Sequence, residues 1–221
     1  MIKLQNIQRQ YTTRAGSMPV LRDIQLDVPK GAFVSIVGPS GSGKSTLLQV
    51  LGLLDNAWTG EYWFEGQALH ALNGKQRQAF SREAVAFVFQ QYHLLDDLTV
   101  AENIELPLTY RSVPAREVKA RVEAMLERFD LGARRHDYPN QLSGGQQQVV
   151  AVARALIAAP RLLLADEPTG ALHSDQGRLI MDLLADLNRA GTTIIQVTHN
   201  PEFAARGQQV LRMQDGKLVG A

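Results

Sequence analysis

Short apolar runs alternate along the chain with stretches of helical periodicity. Four runs have strand length and little polar alternation, which is typical of parallel strands covered on both faces. They are Phe33–Val37, Val85–Phe89, 162–165 and Thr193–Val197. Between them apolar residues recur at helical spacing. The helical sets are Leu47, Val50, Leu51 and Leu54; Val149, Val152, Ala153, Leu156 and Ile157; and Leu179, Leu183, Leu184 and Leu187. This alternation predicts an α/β fold with a parallel sheet.

Two further stretches predict additions to that sheet. Before residue 32 and at residues 60–64, polar and apolar residues alternate, as in an antiparallel edge layer. Residues 96–142 have a helical pattern. The prolines expected to break this pattern are Pro107, Pro114 and Pro139.

The patterns together predict one domain over residues 1–221. Its core, with the antiparallel layer, comprises residues 1–90 and 156–221, and residues 91–155 form an inserted helical subdomain. No internal repeat or low-complexity linker divides the chain further.

The composition narrows the functional classes. The 221 residues include 23 Lys and Arg and 22 Asp and Glu, so the net charge is +1 and nothing favours a nucleic-acid surface. The absence of cysteine excludes disulfides and thiolate metal sites. The longest apolar region, residues 149–165, is interrupted by Arg154, Pro160 and Arg161 and is not expected to span a membrane. Residues 1–11 lack the apolar stretch of a secretory signal, so a role at a membrane would require a partner.

Residues 38–45 read GPSGSGKS and match the phosphate-loop pattern G-x-x-x-x-G-K-[ST]. The glycines allow the backbone to direct N–H groups at phosphate oxygens, together with the positive end of the following helix. Lys44 supplies a charge for the terminal phosphates, and Ser45 is a candidate Mg²⁺ ligand. The expected binding residues are Gly38, Pro39, Ser40, Gly41, Ser42, Gly43, Lys44, Ser45 and Thr46. A chance glycine-rich turn is a poor alternative between a strand and a helix, but kinases, GTPases, helicases and transporters all remain open.

A second strand, in the sequence RLLLADEP, ends in two acidic residues. Ligands bind at the carboxyl ends of strands in open α/β sheets. Asp166 is therefore expected to hold Mg²⁺, and Glu167 to polarise the water that attacks the terminal phosphate. Two solvated acids at a strand end are the alternative, which is weak for an adjacent pair in a chain with a phosphate loop.

Residues 142–148 read LSGGQQQ and predict a second anion site. Ser143 is a good helix N-cap, and Gly144 and Gly145 leave the first turn bare. About a hundred residues separate this motif from the phosphate loop, so one chain is not expected to fold both onto one nucleotide. A two-fold dimer places the phosphate loop of one copy opposite the Ser143–Gln146 segment of the other. A flexible Gly-Gly linker is the alternative, and the apolar helix that follows argues against it.

These motifs, in this order, resemble those of the ATP-binding subunits of the ABC transporter family, over nearly all 221 residues. The resemblance implies a P-loop NTPase core with an antiparallel edge layer and an inserted helical subdomain. It implies that ATP and Mg²⁺ are bound and ATP is hydrolysed by a homodimer on the cytoplasmic side of the inner (plasma) membrane. The implied partner is an integral-membrane permease subunit, through which periplasmic or extracellular components could be reached; no nucleic acid is implied.

The resemblance also assigns roles to matching residues. Tyr11 matches an aromatic residue that stacks on adenine, although an ordinary surface tyrosine is a fair alternative. Gln90 matches a glutamine that senses Mg²⁺ and the attacking water, and His199 matches a histidine that contacts the γ-phosphate. The implied catalytic residues are Lys44, Gln90, Glu167 and His199; the implied metal-binding residues are Ser45, Gln90 and Asp166; and the implied second-copy contacts are Ser143, Gly144, Gly145 and Gln146.

The stretches QQYHLLDDLTVAENIELPL, LSGGQQQ and ADEPTGAL are similar to the subfamily of the macrolide exporter MacB and the lipoprotein-releasing ATPase LolD. This similarity implies that dimer closure moves a membrane partner, for efflux or for lipoprotein or peptide release. The residues implied to contact the permease are Tyr92, His93, Leu94 and Leu95.

Two positions depart from the family pattern. The sequence has Ala171-Leu172-His173 where the family usually has A-L-D, and Val149 where it usually has Arg after LSGGQQQ. Histidine does not supply a constant negative charge, and valine cannot bind the polar partners of an arginine. A nucleotide-sensing regulatory module with weak or no ATP turnover is therefore the alternative function.

Overall fold

The computed structural model describes residues 1–13, 16–111 and 113–219. The strands are β1 (Ile2–Thr13), β2 (Gly16–Val28), β3 (Phe33–Val37), β4 (Trp58–Phe64), β5 (Gln67–Ala68), β6 (Val85–Phe89), β7 (Leu162–Asp166), β8 (Thr193–Val197), β9 (Gln209–Gln214) and β10 (Lys217–Val219). The α-helices are α1 (Lys44–Leu51), α2 (Gly74–Ala84), α3 (Val100–Thr109), α4 (Ala115–Arg128), α5 (Gly144–Leu156), α6 (Ser174–Arg189) and α7 (Pro201–Ala204). Single 3₁₀ turns are Leu69–Ala71, Gly132–Arg134 and Pro139–Gln141.

The strands form two sheets, as the sequence predicts. An antiparallel sheet has the order β2-β1-β4-β5, and a larger sheet has the order β10-β9-β3-β8-β7-β6. In the larger sheet β9, β3, β8, β7 and β6 run parallel, and β10 pairs antiparallel with β9. The predicted α/β class with an antiparallel layer is confirmed.

The parallel strands bring the candidate site residues to one edge of the larger sheet. Phe89 pairs with Asp166, and Asp166 pairs with Val197, so β6, β7 and β8 end side by side. Next to β8 lies β3, which leads into the phosphate loop after Val37. The candidate residues that follow these strands therefore share the carboxyl edge of the sheet.

Two apolar clusters hold these layers together. One joins the antiparallel sheet, α1 and one face of the parallel sheet. The other joins the opposite face to α3, α4, α5 and α6. Among the described residues, no helix has the length and apolar character needed to cross a bilayer.

Several expectations about individual residues were wrong. Helix α1 ends at Leu51, so Leu54 lies beyond it and is 55% exposed. On α6 the buried stripe contains Ile180, Leu184 and Leu187, while Leu179 is 63% exposed because it lies about 100° around the helix from Ile180.

Pro107 does not break the helical region, because it lies inside α3. A capping box between Thr99 and Glu102 secures the start of this helix, and Ile104 and Leu108 are buried. Pro107 lacks a backbone N–H, but the helix tolerates the loss of this one donor near its C-terminal end because its start is capped and its apolar side is buried.

Strand β6 was expected to be covered on both faces, yet only Val88 of its five residues is fully buried. The reason is its place at the edge of the larger sheet.

Candidate functional site

The phosphate loop connects β3 to α1, and it requires glycine where other chain segments approach closely. A Cβ at Gly38 would overlap the carbonyl oxygen of Met213. Gly43 has a φ of +104°, and a Cβ there would lie 2.9 Å from the carbonyl oxygen of Val20. Since Gly43 is the N-cap of α1, the positive end of that helix faces the loop.

Several residues of the phosphate loop are exposed to solvent, where a ligand can reach them. Pro39, Ser40 and Gly41 are exposed, whereas the Ser42 hydroxyl is buried and has no hydrogen-bond partner among the described residues. The Lys44 ammonium donates to the carbonyl oxygens of Gly38 and Pro39, both at 2.9 Å. The charge thus lies over the loop, where it could exchange carbonyl oxygens for those of a phosphate.

Ser45 and Asp166 come from different elements and meet at the sheet edge. The Ser45 hydroxyl donates to Asp166 Oδ1 at 3.3 Å. Burial raises the pKa of Asp166, an effect that the Ser45 hydrogen bond and the Lys44 charge oppose. A hydroxyl next to a carboxylate in a partly buried place is a donor set that suits Mg²⁺, since this ion takes oxygen ligands and would compensate the buried charge.

We expect Asp166→Asn to stabilise the nucleotide-free chain at pH 7 while lowering ATP turnover. Because the folded-state pKa of Asp166 lies above the unfolded value near 3.8, this carboxyl favours the fold fully only below that pH. Its contribution is lost as the pH rises through the folded-state pKa, and asparagine carries no such charge. Thermal denaturation should show a higher Tm for the variant at pH 7 and a smaller difference at pH 4. An unchanged or lower Tm at pH 7 would contradict this explanation.

Glu167 and His199 lie together although 32 positions separate them, because β7 and β8 are neighbours. His199 Nδ1 is 3.0 Å from Glu167 Oε1, and the His199 N–H donates to Oε2 at 3.4 Å. Glu167 has a φ of +48°, which is unusual for a residue with a side chain, and its N–H donates to the carbonyl oxygen of Val197 at 2.9 Å. Strained backbone of this kind concentrates at functional sites.

Gln90 is exposed and extends from the end of β6 towards the segment after Glu167. A Cβ at Gly170 would lie only 2.8 Å from Gln90 Nε2. The Gly170 N–H donates to the Glu167 carbonyl oxygen at 2.9 Å. Gln90 therefore lies beside the turn that begins at Glu167.

The segment Ser143–Gln146 begins α5 with a reciprocal capping box. The Gln146 N–H donates to Ser143 Oγ at 3.3 Å, and the Ser143 N–H donates to Gln146 Oε1 at 2.9 Å. The first turn is less open than the sequence suggests, because Gly145 is buried under the Gln176 side chain. Among the described residues, Ser143–Gln146 contacts itself, Tyr92 and Gln176, and it makes no hydrogen bond to the phosphate loop of the same chain.

Tyr11 belongs to a cluster with Arg9 and Asp55 that the sequence analysis did not predict. The Arg9 guanidinium lies 4.1 Å from the centre of the Tyr11 ring, and Asp55 Oδ2 accepts from Arg9 at 2.6 Å and from the Tyr11 hydroxyl at 3.3 Å. Burial raises the pKa of Asp55, but the hydrogen bonds from the Ala57 N–H and from Arg9 together outweigh burial, so the pKa is lowered. Tyr11 is 36% exposed as a residue, which leaves surface for a stacked base. The sequence held one indication of this cluster: Arg9 and Tyr11 are two residues apart on β1, and alternate residues of a strand share a face.

His173 occupies the N-cap position of α6 without a side-chain cap. We expect His173→Asp to raise the free energy of unfolding by about 0.5–2 kcal/mol, because aspartate is a preferred N-cap and its charge suits the helix terminus. Thermal denaturation should show a Tm rise of about 2–4 °C per kcal/mol. His173→Ala, which also lacks a cap, is the control and should not gain stability.

We also expect His173→Asp to preserve or raise ATPase activity; a large loss would show that the histidine has a specific role.

A phosphate loop between a central parallel strand and a helix, next to acids that follow a neighbouring strand, defines the class of P-loop nucleoside triphosphatases. The comparisons with known proteins identify the family. The sequence profile of the ABC transporter family matches residues 21–170. The chain belongs to this family and is one of its ATP-binding domains, the ATPase units of ABC transporters.

Individual relatives agree with this assignment. The chain is 45% identical over 219 residues to the macrolide export ATP-binding/permease protein MacB 1/2 of Paracoccus denitrificans, and this covers 99% of the chain but 33% of that protein. It spans about a third of the length of the MacB relatives that it matches. It is 42% identical over 221 residues to the uncharacterised ABC transporter ATP-binding protein YknY of Bacillus subtilis, covering 100% of the chain and 96% of that protein.

A solved structure supports the fold. The ATP-binding cassette MJ0796 is dimeric in a post-hydrolysis state bound to ADP and Pi. It matches with a TM-score of 0.90 and 40% identity, covering 100% of this chain and 97% of the solved one.

Proposed function

We propose that the chain is the motor of a transporter in which two copies close on two ATP molecules and thereby move a membrane permease. The cargo class we favour is that of MacB- and LolD-like systems, namely efflux or the release of lipoproteins or peptides. The observation that carries this proposal is the assembly of Lys44, Ser45, Asp166, Glu167 and His199 at one sheet edge.

In this proposal the phosphates lie on the loop N–H groups and Lys44, and adenine stacks on Tyr11. Ser45, Asp166 and Gln90 would hold Mg²⁺, which would supply positive charge to the phosphate oxygens. Glu167 orients the attacking water, and His199 stabilises charge on the γ-phosphate; the 3.0 Å separation of His199 Nδ1 from Glu167 Oε1 supports a shared role for the two residues. Catalysis of this kind depends mainly on positioning and electrostatics.

The second copy supplies Ser143, Gly144, Gly145 and Gln146. Support comes from the local structure: the start of α5 is capped and held by contacts within its own chain, and so forms a fixed surface that another molecule could meet. The dimer of MJ0796, with ADP and Pi, shows that a protein of this fold assembles in pairs.

We further propose that residues 91–155 act as a helical subdomain that contacts the permease at the cytoplasmic side of the inner membrane. A cavity of about 350 Å³ opens between β6 and α3. Its apolar walls are formed by Phe87, Phe89, Leu106, Pro107 and Tyr110. These walls suit an amphipathic helix of the permease, and the exposed Leu95 lies in the adjoining segment with Tyr92, His93 and Leu94. Periplasmic or extracellular components would be reached through that permease.

A nucleotide-sensing module with little turnover is the second candidate. It is favoured by His173, which leaves the N-cap of α6 without a side-chain bond, and by Val149, which packs against an apolar cluster where an arginine could bind polar groups.

ATPase measurements on membranes that contain the permease separate the two. The motor should hydrolyse ATP, with a rate that changes when the permease is present. Saturable ATP binding without turnover, in the presence of Mg²⁺ and the permease, would support the sensing module instead. The chain that co-purifies from membranes should be an integral-membrane subunit.

A further inference from the structure

The loop of residues 90–95, which follows β6, has an unusual backbone. Tyr92 and His93 have φ values of +56° and +49°, so two consecutive residues with side chains are left-handed. Each such residue carries a conformational cost and persists only where its surroundings enforce it. Something must therefore hold this loop.

Arg154, in the last turn of α5, provides the contacts. Its Nη1 donates to the carbonyl oxygen of His93 at 2.5 Å, and its Nη2 donates to that of Tyr92 at 2.6 Å. Both strained peptide units are thus bound by one planar guanidinium. Burial lowers the pKa of Arg154, and within the described residues this side chain forms no ion pair. The Arg154 guanidinium is half-buried and binds two backbone carbonyl oxygens, so we interpret its main role as holding the loop backbone rather than pairing with a carboxylate.

The same loop also reaches the opposite end of α5. A Cβ at Gly144 would lie 2.8 Å from the Tyr92 hydroxyl oxygen and 3.7 Å from a methyl of Leu172. The hydroxyl end of the Tyr92 side chain therefore lies against the first turn of α5, while the Tyr92 carbonyl oxygen is bound by Arg154 in the last turn. Gln90, two residues earlier, lies against Gly170 beside the Glu167 turn.

We propose that Arg154 is a positioning residue that fixes the loop 90–95 on α5 and so sets the place of Ser143–Gln146 relative to Gln90. The inference rests on the proposed function, in which these two parts act on opposite nucleotides. Arg154 contacts neither nucleotide; it acts through the loop backbone. ATP affinity at the phosphate loop is independent of this connection, whereas turnover by the closed dimer depends on it.

The experiment compares two substitutions with a matched control. Arg154→Met removes both donors and keeps the apolar stem, and Arg154→Lys keeps the charge but not the planar pair of donors. Arg77→Met is the control, because Arg77 is another partly buried arginine that donates to carbonyl oxygens, those of Leu69 at 3.1 Å and His70 at 2.9 Å, outside both the loop and the cavity between β6 and α3. For each full chain, ATP affinity, kcat and KM are measured, together with hydrogen exchange of the nucleotide-free chain.

Arg154→Met should lower kcat by about tenfold, within the roughly 2- to 30-fold range of substitutions that change coupling between sites. ATP affinity should stay within about twofold, Arg154→Lys should give an intermediate kcat, and Arg77→Met should resemble the unmodified chain. Hydrogen exchange should accelerate together in residues 90–95 and 143–147 of Arg154→Met.

Three results would overturn the inference. They are an unchanged kcat in both Arg154 variants, a fall in ATP affinity that parallels kcat, and an equal loss in Arg77→Met. If Arg154→Met does not fold, the Lys variant alone decides by the same criteria. If the unmodified chain shows no turnover, the proposed function fails, while the paired change in hydrogen exchange still tests the role of Arg154.

Discussion

Glu167→Gln is expected to trap two copies of the chain around ATP and to lower kcat by about 10²–10⁴-fold. Glutamine is similar in size to glutamate, so the loop and Lys44 can still hold the phosphates. It cannot accept a proton from the attacking water, and its amide replaces the carboxylate that pairs with His199. Binding and closure therefore continue while the step that opens the dimer stops.

Size-exclusion chromatography with ATP and Mg²⁺ tests this prediction. The variant should elute as a dimer with ATP and as a monomer without it, whereas the unmodified chain should remain mostly monomeric during turnover. Glu202→Gln is the matched control, because Glu202 is an exposed acid on α7 that pairs with Arg178. A Glu167→Gln chain that stays monomeric at saturating ATP would count against the model of closure.

Lys44→Met is expected to lower ATP turnover by about 10²–10³-fold, as when a single preorganised donor to developing charge is removed. The ammonium lies over the loop, bound to the carbonyl oxygens of Gly38 and Pro39 at 2.9 Å. Methionine has a similar length but offers neither a charge nor a donor to the terminal phosphates. In contrast to Glu167→Gln, this variant should also bind ATP more weakly.

Titration with ATP and a steady-state ATPase assay measure both effects. Lys30→Met is the control, since its ammonium is exposed and lies 3.6 Å from Glu65, away from the loop. If Lys44→Met kept full affinity and rate, phosphate binding by this loop would have to be abandoned.

Much of the fold followed from local pattern. The strand lengths, the two sheet types and the capped start of α5 were all visible as periodicity or as a capping signature, because each depends on neighbours in sequence. The faces of the helices were less predictable. On α6 four leucines suggested a stripe through Leu179, but packing selected Ile180 and left Leu179 in solvent.

The contacts that shape the site could not be predicted in the same way. Glu167 meets His199 because β7 pairs with β8, and Arg154 binds the loop of Tyr92 from 62 positions away. Asp55 binds Arg9 across 46 positions and Tyr11 across 44. Such contacts depend on the order of the strands and the packing of the helices. A short sequence motif carries no information about either.

The central claim is that neither copy holds a complete reaction centre, and one complementation measurement tests it directly. The ATPase rates of a Lys44→Met chain and a Ser143→Arg chain are measured separately and after mixing in equal amounts. Each alone should be nearly inactive. The mixture should recover about a quarter of the unmodified rate, because half of the dimers are mixed and each mixed dimer has one intact pairing of phosphate loop with Ser143 segment. A Ser143→Arg chain that alone hydrolyses ATP at the unmodified rate would contradict the account.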